Sequence, residues 1–166
     1  CRVLAIDYRK PPKYTYPRPL EDAFGSYQWL LDQGYRAENI AIAGDSAGGS
    51  LTLSTMLAIR ERNLPLPCGA VCISPWADLS GSGESMSSNR KTEVMLPSRK
   101  IKEAAQLYAD GLPLDDPRIS PLFADLRGLP PLLIHVGSDE VVRDDSIRLF
   151  KRAKGAGVDA SLRVWE

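Results

Sequence analysis

Short apolar runs alternate with longer amphipathic segments along the whole chain. A run of four to seven apolar residues between turn-forming residues is typical of a buried β-strand. The sequence contains five such runs, at residues 3–6, 40–43, 70–73, 130–136 and 160–164.

The longer segments between these runs predict helices. In residues 20–33, apolar side chains recur three and four positions apart, and Gly34 follows as a helix-ending residue. The same reasoning predicts helices at residues 47–62, 98–109 and 144–156. Residues 9–19 contain four prolines and residues 80–88 are rich in serine and glycine, so both segments are predicted to be loops, the second one mobile.

Strands that alternate with helices predict an α/β fold with a mostly parallel sheet and right-handed crossovers. The strands are apolar throughout rather than at alternate positions, so helices are expected on both faces of the sheet. No repeat, low-complexity tract or linker divides the sequence. We therefore expect a single domain over residues 1–166.

The composition narrows the classes of function. With 21 basic and 21 acidic residues, the chain lacks the basic face of a nucleic-acid-binding protein. No apolar stretch approaches the roughly 20 residues that span a bilayer. Cys68 and Cys72 are predicted to be buried thiols, since no Cys/His set has metal-ligand spacing, and a reducing, cytoplasmic compartment fits them. The chain begins with Cys1 and not with Met, so the N-terminus is expected to be incomplete.

One motif indicates chemistry: Gly44-Asp45-Ser46-Ala47-Gly48 fits G-x-S-x-G between a predicted strand and a predicted helix. This is the context of a nucleophile elbow, whose tight turn requires small residues two positions before and after the serine. Ser46 is the predicted nucleophile, and the Ala47 N–H at the start of the helix is a predicted oxyanion donor. Glycine-rich turns also bind phosphates, but this motif lacks the lysine and the glycine spacing of such sites.

A serine nucleophile needs a base, and the base needs an acid that orients it. In this type of fold the chain order is Ser, Asp/Glu, His. Asp139 follows the fourth predicted strand and is the first candidate for the acid, before Asp144 and Asp78. Glu140, Asp144 and Asp145 are otherwise interpreted as solvated residues or caps of the next helix.

His135 is the only histidine in the sequence. It lies inside the fourth predicted strand and precedes Asp139, contrary to the expected chain order. We interpret it as a partly buried strand residue. The sequence therefore supplies no candidate for the base.

Several segments resemble the hormone-sensitive-lipase-like esterases, the bacterial branch of the α/β hydrolases. Residues 44–49 match the GDSAGG signature of that family. The block at residues 136–140, followed by 144–146, looks like the segment that holds the family's catalytic aspartate, which maps onto Asp139. Further similar segments lie at residues 7–9, 16–17, 20–23, 73–79, 116–118, 120–122 and 128–131.

The resemblance implies hydrolysis of short- to medium-chain carboxylic esters with no metal or organic cofactor. A small ester is the implied binding partner, and bacterial relatives often form homodimers through the last strand. The family's HGGG oxyanion loop is expected upstream of Cys1 and its catalytic histidine just past Glu166. We therefore expect a partial catalytic domain, truncated at both ends and without its cap helices, that does not turn over substrate alone.

Two other functions stay open at this point. Some relatives of this fold are hormone receptors that lost the histidine, so a non-catalytic ligand-binding protein is the alternative to an esterase. Peptidase or amidase action is a third interpretation, because the shape of the pocket sets the choice of leaving group.

Overall fold

The computed structural model of the protein describes residues 1–95 and 98–166. The strands found there are β1 (Ala41–Asp45), β2 (Gly69–Ile73), β3 (Leu132–Gly137) and β4 (Ala160–Trp165). The helices are α1 (Arg18–Asp32), α2 (Ala47–Glu61), α3 (Ser85–Ser88), α4 (Ser98–Ala109) and α5 (Arg143–Gly155), and 3₁₀ turns occupy Ala37–Asn39, Asn89–Lys91 and Pro121–Phe123. The four predicted helices and the four predicted strands after residue 39 are confirmed, with ends that differ by two residues at most.

The four strands form one parallel sheet in the order β1-β2-β3-β4. Because this order follows the chain, right-handed crossovers place every connection on the same face of the sheet. On that face α2 packs against β1 and β2, and α5 packs against β3 and β4. The main hydrophobic core lies between these layers and includes Leu53, Met56, Cys72, Ile134 and Leu149. The carboxyl ends of all four strands meet at one rim of the sheet.

The opposite face of the sheet carries no helix within residues 1–95 and 98–166. Ile73 and Leu133 lie on this face and are 47% and 41% exposed. The expected second layer of helices is therefore absent from the described residues. The strands are apolar on both sides, as the sequence indicates, but a sheet whose strand order follows the chain receives its crossover helices on one side only.

The strand predicted at residues 3–6 does not form, and this prediction is wrong. Val3, Leu4 and Ile6 are 86%, 50% and 37% exposed. None of the backbone hydrogen bonds of the described chain joins this segment to another strand. A β-strand is stabilised by pairing with a neighbour, so an apolar run without a partner stays irregular.

The serine- and glycine-rich segment at residues 80–88 is not a free loop, contrary to its prediction. It contains α3, and the hydroxyls of Ser80 and Ser82 donate hydrogen bonds to the buried Asp78 carboxylate. Ser85 is fully buried, and its hydroxyl donates to a backbone carbonyl of the loop before α5 at 2.7 Å. The serines thus satisfy buried polar groups, a role that composition alone does not reveal.

The prediction for the cysteines is half correct. Cys72 lies on the helix-facing side of β2, and burial raises the pKa of its thiol to about 12. Cys68 is exposed just before the same strand, so the prediction that it is buried is wrong. The described residues contain no acidic, cysteine and histidine cluster that could hold a metal ion, and none of the described helices is long and apolar enough to cross a membrane.

Candidate active site

Ser46 occupies a sharp turn between β1 and α2. Its φ of 52° and ψ of −117° lie in a region that residues other than glycine rarely adopt. The Ser46 N–H donates to the Ile73 carbonyl at 2.8 Å, and the Ser46 carbonyl accepts the Trp76 N–H at 3.1 Å. These bonds fix the turn to the loop after β2. The turn has the strand–turn–helix geometry of a nucleophile elbow, with a half-buried serine at its apex.

The space around the turn explains two of its three glycines. A Cβ on Gly44 would lie 2.2 Å from the Gly48 carbonyl oxygen, so residue 44 must lack a side chain. A Cβ on Gly49 would lie 3.0 Å from the Cα of Pro75. A Cβ on Gly48 would meet no atom within 4 Å among the described residues outside its own helix backbone, so these residues show no steric requirement at this position. The constraint falls on Gly49 because the first turn of α2 packs through this residue against the loop after β2.

The first turn of α2 presents unpaired donors next to the serine. The N–H groups of Gly49 and Ser50 both donate to the Ser46 carbonyl and begin the helical hydrogen bonding. The N–H groups of Ala47 and Gly48 precede them and have no intrahelical acceptor. They also lie at the positive end of the helix dipole. The Ala47 N–H is therefore next to the Ser46 side chain, where an oxyanion donor has to be.

Asp139 lies at the same rim as Ser46, in the loop between β3 and α5. One strand separates β1 from β3, so the loops that follow them start about 10 Å apart. An imidazole ring with a hydrogen bond of roughly 3 Å on each side spans such a gap. The Asp139 side chain is exposed and accepts no hydrogen bond from the residues that the structure describes. Its carboxylate is thus available to a base at this rim.

Two neighbouring carboxylates have structural partners instead. The Glu140 carboxylate accepts the Gly137 N–H at 2.6 Å and the Ser74 hydroxyl at 2.8 Å. The Asp144 carboxylate accepts the Ser85 N–H at 2.9 Å. Neither residue caps α5, which begins without a side-chain cap. The interpretation of both as solvated or capping residues is wrong. The Glu140 carboxylate joins the loop after β3 to the loop after β2, and the Asp144 carboxylate joins the first turn of α5 to α3.

Asp78 and Asp145 belong to a buried network. The Asp78 carboxylate accepts hydrogen bonds from Ser80, Ser82 and Arg148; burial tends to raise its pKa, but these bonds outweigh burial and lower it. Asp145 is 1% exposed and accepts the Asp78 N–H at 2.9 Å, and burial raises its pKa to about 7. Asp78 is therefore engaged and not free to orient a base, and Asp145 is not solvated as predicted.

His135 lies inside β3, on the face of the sheet opposite to α2 and α5. Its Nδ1 accepts a hydrogen bond from the indole N–H of Trp165 at 3.1 Å, and the two ring centroids are 5.6 Å apart. The side chain is partly buried, in agreement with its predicted place in a strand. Since this is the only histidine of the sequence, these 166 residues hold no imidazole between Ser46 and Asp139.

A strained serine between a parallel strand and a helix, with an available carboxylate two strands along the same rim, defines a class of protein. This is the arrangement of the α/β hydrolases. The family described as "alpha/beta hydrolase fold" matches residues 1–166. The chain belongs to this family.

Individual relatives narrow the assignment. An acetyl-hydrolase of Streptomyces hygroscopicus is 42% identical over 163 residues, which cover 98% of this chain and 54% of the relative. An esterase of Acinetobacter venetianus is 36% identical over 165 residues, which cover 99% and 54%. A solved structure of an esterase from the bacterial hormone-sensitive lipase (HSL) family matches with a TM-score of 0.97 at 46% identity, over 99% of this chain and 56% of that one.

These relatives place the chain among the hormone-sensitive-lipase-like α/β hydrolases, as the resemblance of its motifs predicts. The chain spans about half the length of the curated relatives it matches, since it covers 54% of each of the two named here.

Proposed function

We propose that this chain carries the nucleophile and the acid of a serine carboxylesterase that cleaves short- to medium-chain esters. The observation that carries the proposal is Ser46 at a φ of 52° directly before the free N–H groups of α2. The names of the relatives, acetyl-hydrolase and esterase, support the same class of reaction.

In the first half of the reaction, the Ser46 hydroxyl oxygen attacks the ester carbonyl carbon while its proton passes to a histidine. The carbonyl oxygen becomes an oxyanion, which accepts a hydrogen bond from the Ala47 N–H. A donor of this kind contributes about 3 kcal/mol to transition-state stabilisation in comparable sites. The C–O bond of the ester then breaks, the alcohol leaves with the proton from the histidine, and Ser46 carries the acyl group.

In the second half, water attacks the acyl group and gives its proton to the same histidine. Collapse of the tetrahedral intermediate releases the carboxylic acid and returns the proton to Ser46. Asp139 orients the imidazole and stabilises its positive charge in both halves. We expect the histidine beyond Glu166, where the family resemblance places it.

The other functions that the sequence leaves open receive less support. Neither of the curated relatives named above is described as a receptor, so they give no support to a non-catalytic ligand-binding protein. Amide hydrolysis uses the same triad and stays open. A homodimer through β4, which is an edge strand of the described sheet, and a cytoplasmic location stay predictions.

The complete gene product that contains this chain provides the test. Hydrolysis of p-nitrophenyl acetate is expected to start with a burst of one p-nitrophenol per active site, and Ser46→Ala should remove both the burst and the turnover. Asp139→Asn should lower kcat by roughly 10⁴-fold because the base loses its orientation. Ser87→Ala is the control, since the hydroxyl of this exposed serine donates to the carbonyl of Glu84, the residue before α3, and to no other described residue. Unchanged turnover in Ser46→Ala would remove Ser46 from the mechanism.

A further inference from the structure

One side chain from another part of the chain contacts the loop that carries Asp139 on both sides of this residue. Asn89, at the start of the 3₁₀ turn after α3, is 8% exposed. Its Nδ2 donates one hydrogen bond to the Ser138 carbonyl at 2.9 Å and a second to the Glu140 carbonyl at 2.9 Å. The two acceptors belong to the residues before and after Asp139, so a single carboxamide is hydrogen-bonded to the main chain on both sides of it.

The chemistry of the contact is specific for an amide. Two carbonyl oxygens require a nitrogen with two N–H donors, which the asparagine side chain supplies at this length and a carboxylate does not. The amide oxygen of Asn89 in turn accepts the Ser88 hydroxyl at 3.1 Å, which fixes which end of the amide faces the loop. Because the side chain is shielded from water, both bonds act in a medium of low dielectric and restrict the loop strongly.

A second contact from the same segment reaches Asp139 itself. The Thr92 hydroxyl lies 3.2 Å from the Asp139 carbonyl and 3.1 Å from the Asn89 carbonyl, so its single proton is shared between these two acceptors. The Glu93 carboxylate accepts the Val141 N–H at 3.1 Å. Other bonds also hold this loop: the Ser138 N–H donates to the Trp165 carbonyl at 2.7 Å, and the Glu140 carboxylate accepts the Gly137 N–H at 2.6 Å. The segment at residues 89–93 adds side-chain contacts to three consecutive carbonyls, those of residues 138, 139 and 140.

We propose that Asn89 is a positioning residue of the active site, which acts by holding the main chain of Asp139 so that its carboxylate meets the catalytic base. This inference rests on the proposed esterase function. Asn89 does not touch the reacting atoms. It sets the place of the acid, and a displacement of the acid by about 1 Å is sufficient to slow a reaction on the order of 100-fold.

A double-mutant cycle with Asp139 tests this role in the complete gene product, with p-nitrophenyl acetate as the substrate. Asn89→Ala in the otherwise native protein should lower kcat roughly 10- to 100-fold with KM changed less than about twofold. In the Asp139→Asn background the same substitution should change kcat by less than about twofold, because the acid it positions is already gone. A structural defect would instead lower kcat by the same factor in both backgrounds, and that result would overturn the inference.

Two further variants keep the test decisive. Ser87→Ala, from the same segment but without contact to the Asp139 loop, should leave kcat unchanged. If Asn89→Ala does not fold, the milder Thr92→Val removes one exposed hydroxyl; it should cost a few-fold in kcat, again only while Asp139 is present. A Thr92→Val enzyme with native kcat would then count against the positioning role.

Failure of the inference and failure of the proposed function give different results. If Ser46→Ala retains activity, the esterase mechanism itself is wrong. If Ser46→Ala and Asp139→Asn both abolish turnover while Asn89→Ala has native kcat, only the role of Asn89 is wrong.

Discussion

Ser46 keeps its unusual backbone angles because several neighbouring groups fix them together. Its N–H donates to Ile73 at the end of β2, and its carbonyl accepts the N–H of Trp76 in the loop that follows. Gly44 lets the chain fold back so closely that the Gly48 carbonyl occupies the space of a side chain. Strain of this kind persists only where the surroundings over-determine it, which is common at functional sites.

The two elbow glycines are expected to respond differently to substitution. Gly44→Ala should lower the free energy of unfolding by about 3 kcal/mol or more, because its Cβ would lie 2.2 Å from a backbone oxygen that cannot move independently. Gly48→Ala should change it by less than about 1 kcal/mol, since its Cβ meets no described atom within 4 Å. Urea unfolding of the complete gene product measures both values. Equal losses for the two variants would contradict the packing described for the turn.

At the scale of secondary-structure elements, buried carboxylates connect the loop after β2 to α5. Asp145 in the first turn of α5 accepts the N–H of Asp78, whose own carboxylate accepts Arg148 from the same helix. Burial, and to a smaller extent the negative charge of Asp78, raises the pKa of Asp145, while the hydrogen bond from the Asp78 N–H and the charge of Arg148 lower it. Arg148 therefore pairs directly with Asp78, while Asp145 stays buried beside the Asp78 carboxylate with a raised pKa.

This pairing predicts a dependence of stability on pH. The pKa of Asp145 is about 7 in the folded protein and about 3.9 in an unfolded chain, so the folded form binds the proton more tightly. Between about pH 4 and pH 7 the contribution of Asp145 to the free energy of unfolding therefore falls as pH rises, by at most about 4 kcal/mol.

Asp145→Asn removes this titration but keeps an oxygen that accepts the Asp78 N–H. Its free energy of unfolding should decrease less from pH 5 to pH 8 than that of the native protein. Urea unfolding at the two pH values gives the comparison, and parallel losses in both proteins would show that Asp145 does not titrate in this range.

At the scale of the whole molecule, the topology brings the candidate residues together. All four strands of the described sheet run parallel, so the loops after β1 and β3 emerge at one rim although Ser46 and Asp139 are far apart in sequence. The formal net charge is zero, so long-range electrostatic attraction contributes little to the approach of substrate. The direction of the strands therefore places both residues at the same rim of the sheet.

Local patterns were sufficient for the elements that lie in the core. The apolar runs and helical spacing give four strands and four helices nearly to their ends, and the G-x-S-x-G motif gives the elbow. Residues 3–6 show the limit, because an apolar run predicts a strand only if another strand pairs with it. The missing second helix layer has a similar cause, since the face on which a helix packs depends on strand order and not on local pattern.

The side chains that support the site could not be predicted from local sequence patterns. Gly49 carries the tight contact that spacing assigned to Gly48, because only the packed loop after β2 reveals which position is crowded. Glu140 and Asn89 act through contacts 66 and 49 to 51 positions away in the chain. Nothing in a single sequence indicates which distant carbonyl or hydroxyl such a side chain will meet.

Formation of an acyl-enzyme on Ser46 can be tested by finding which residue carries the acyl group during turnover. The complete gene product is mixed with p-nitrophenyl butyrate, quenched with acid within the burst and digested for mass spectrometry of its peptides. We expect a butyryl group on Ser46, and no modified peptide in Ser46→Ala. Steady release of p-nitrophenol with Ser46 unmodified, or a butyryl group that forms at another residue at the burst rate, would contradict it.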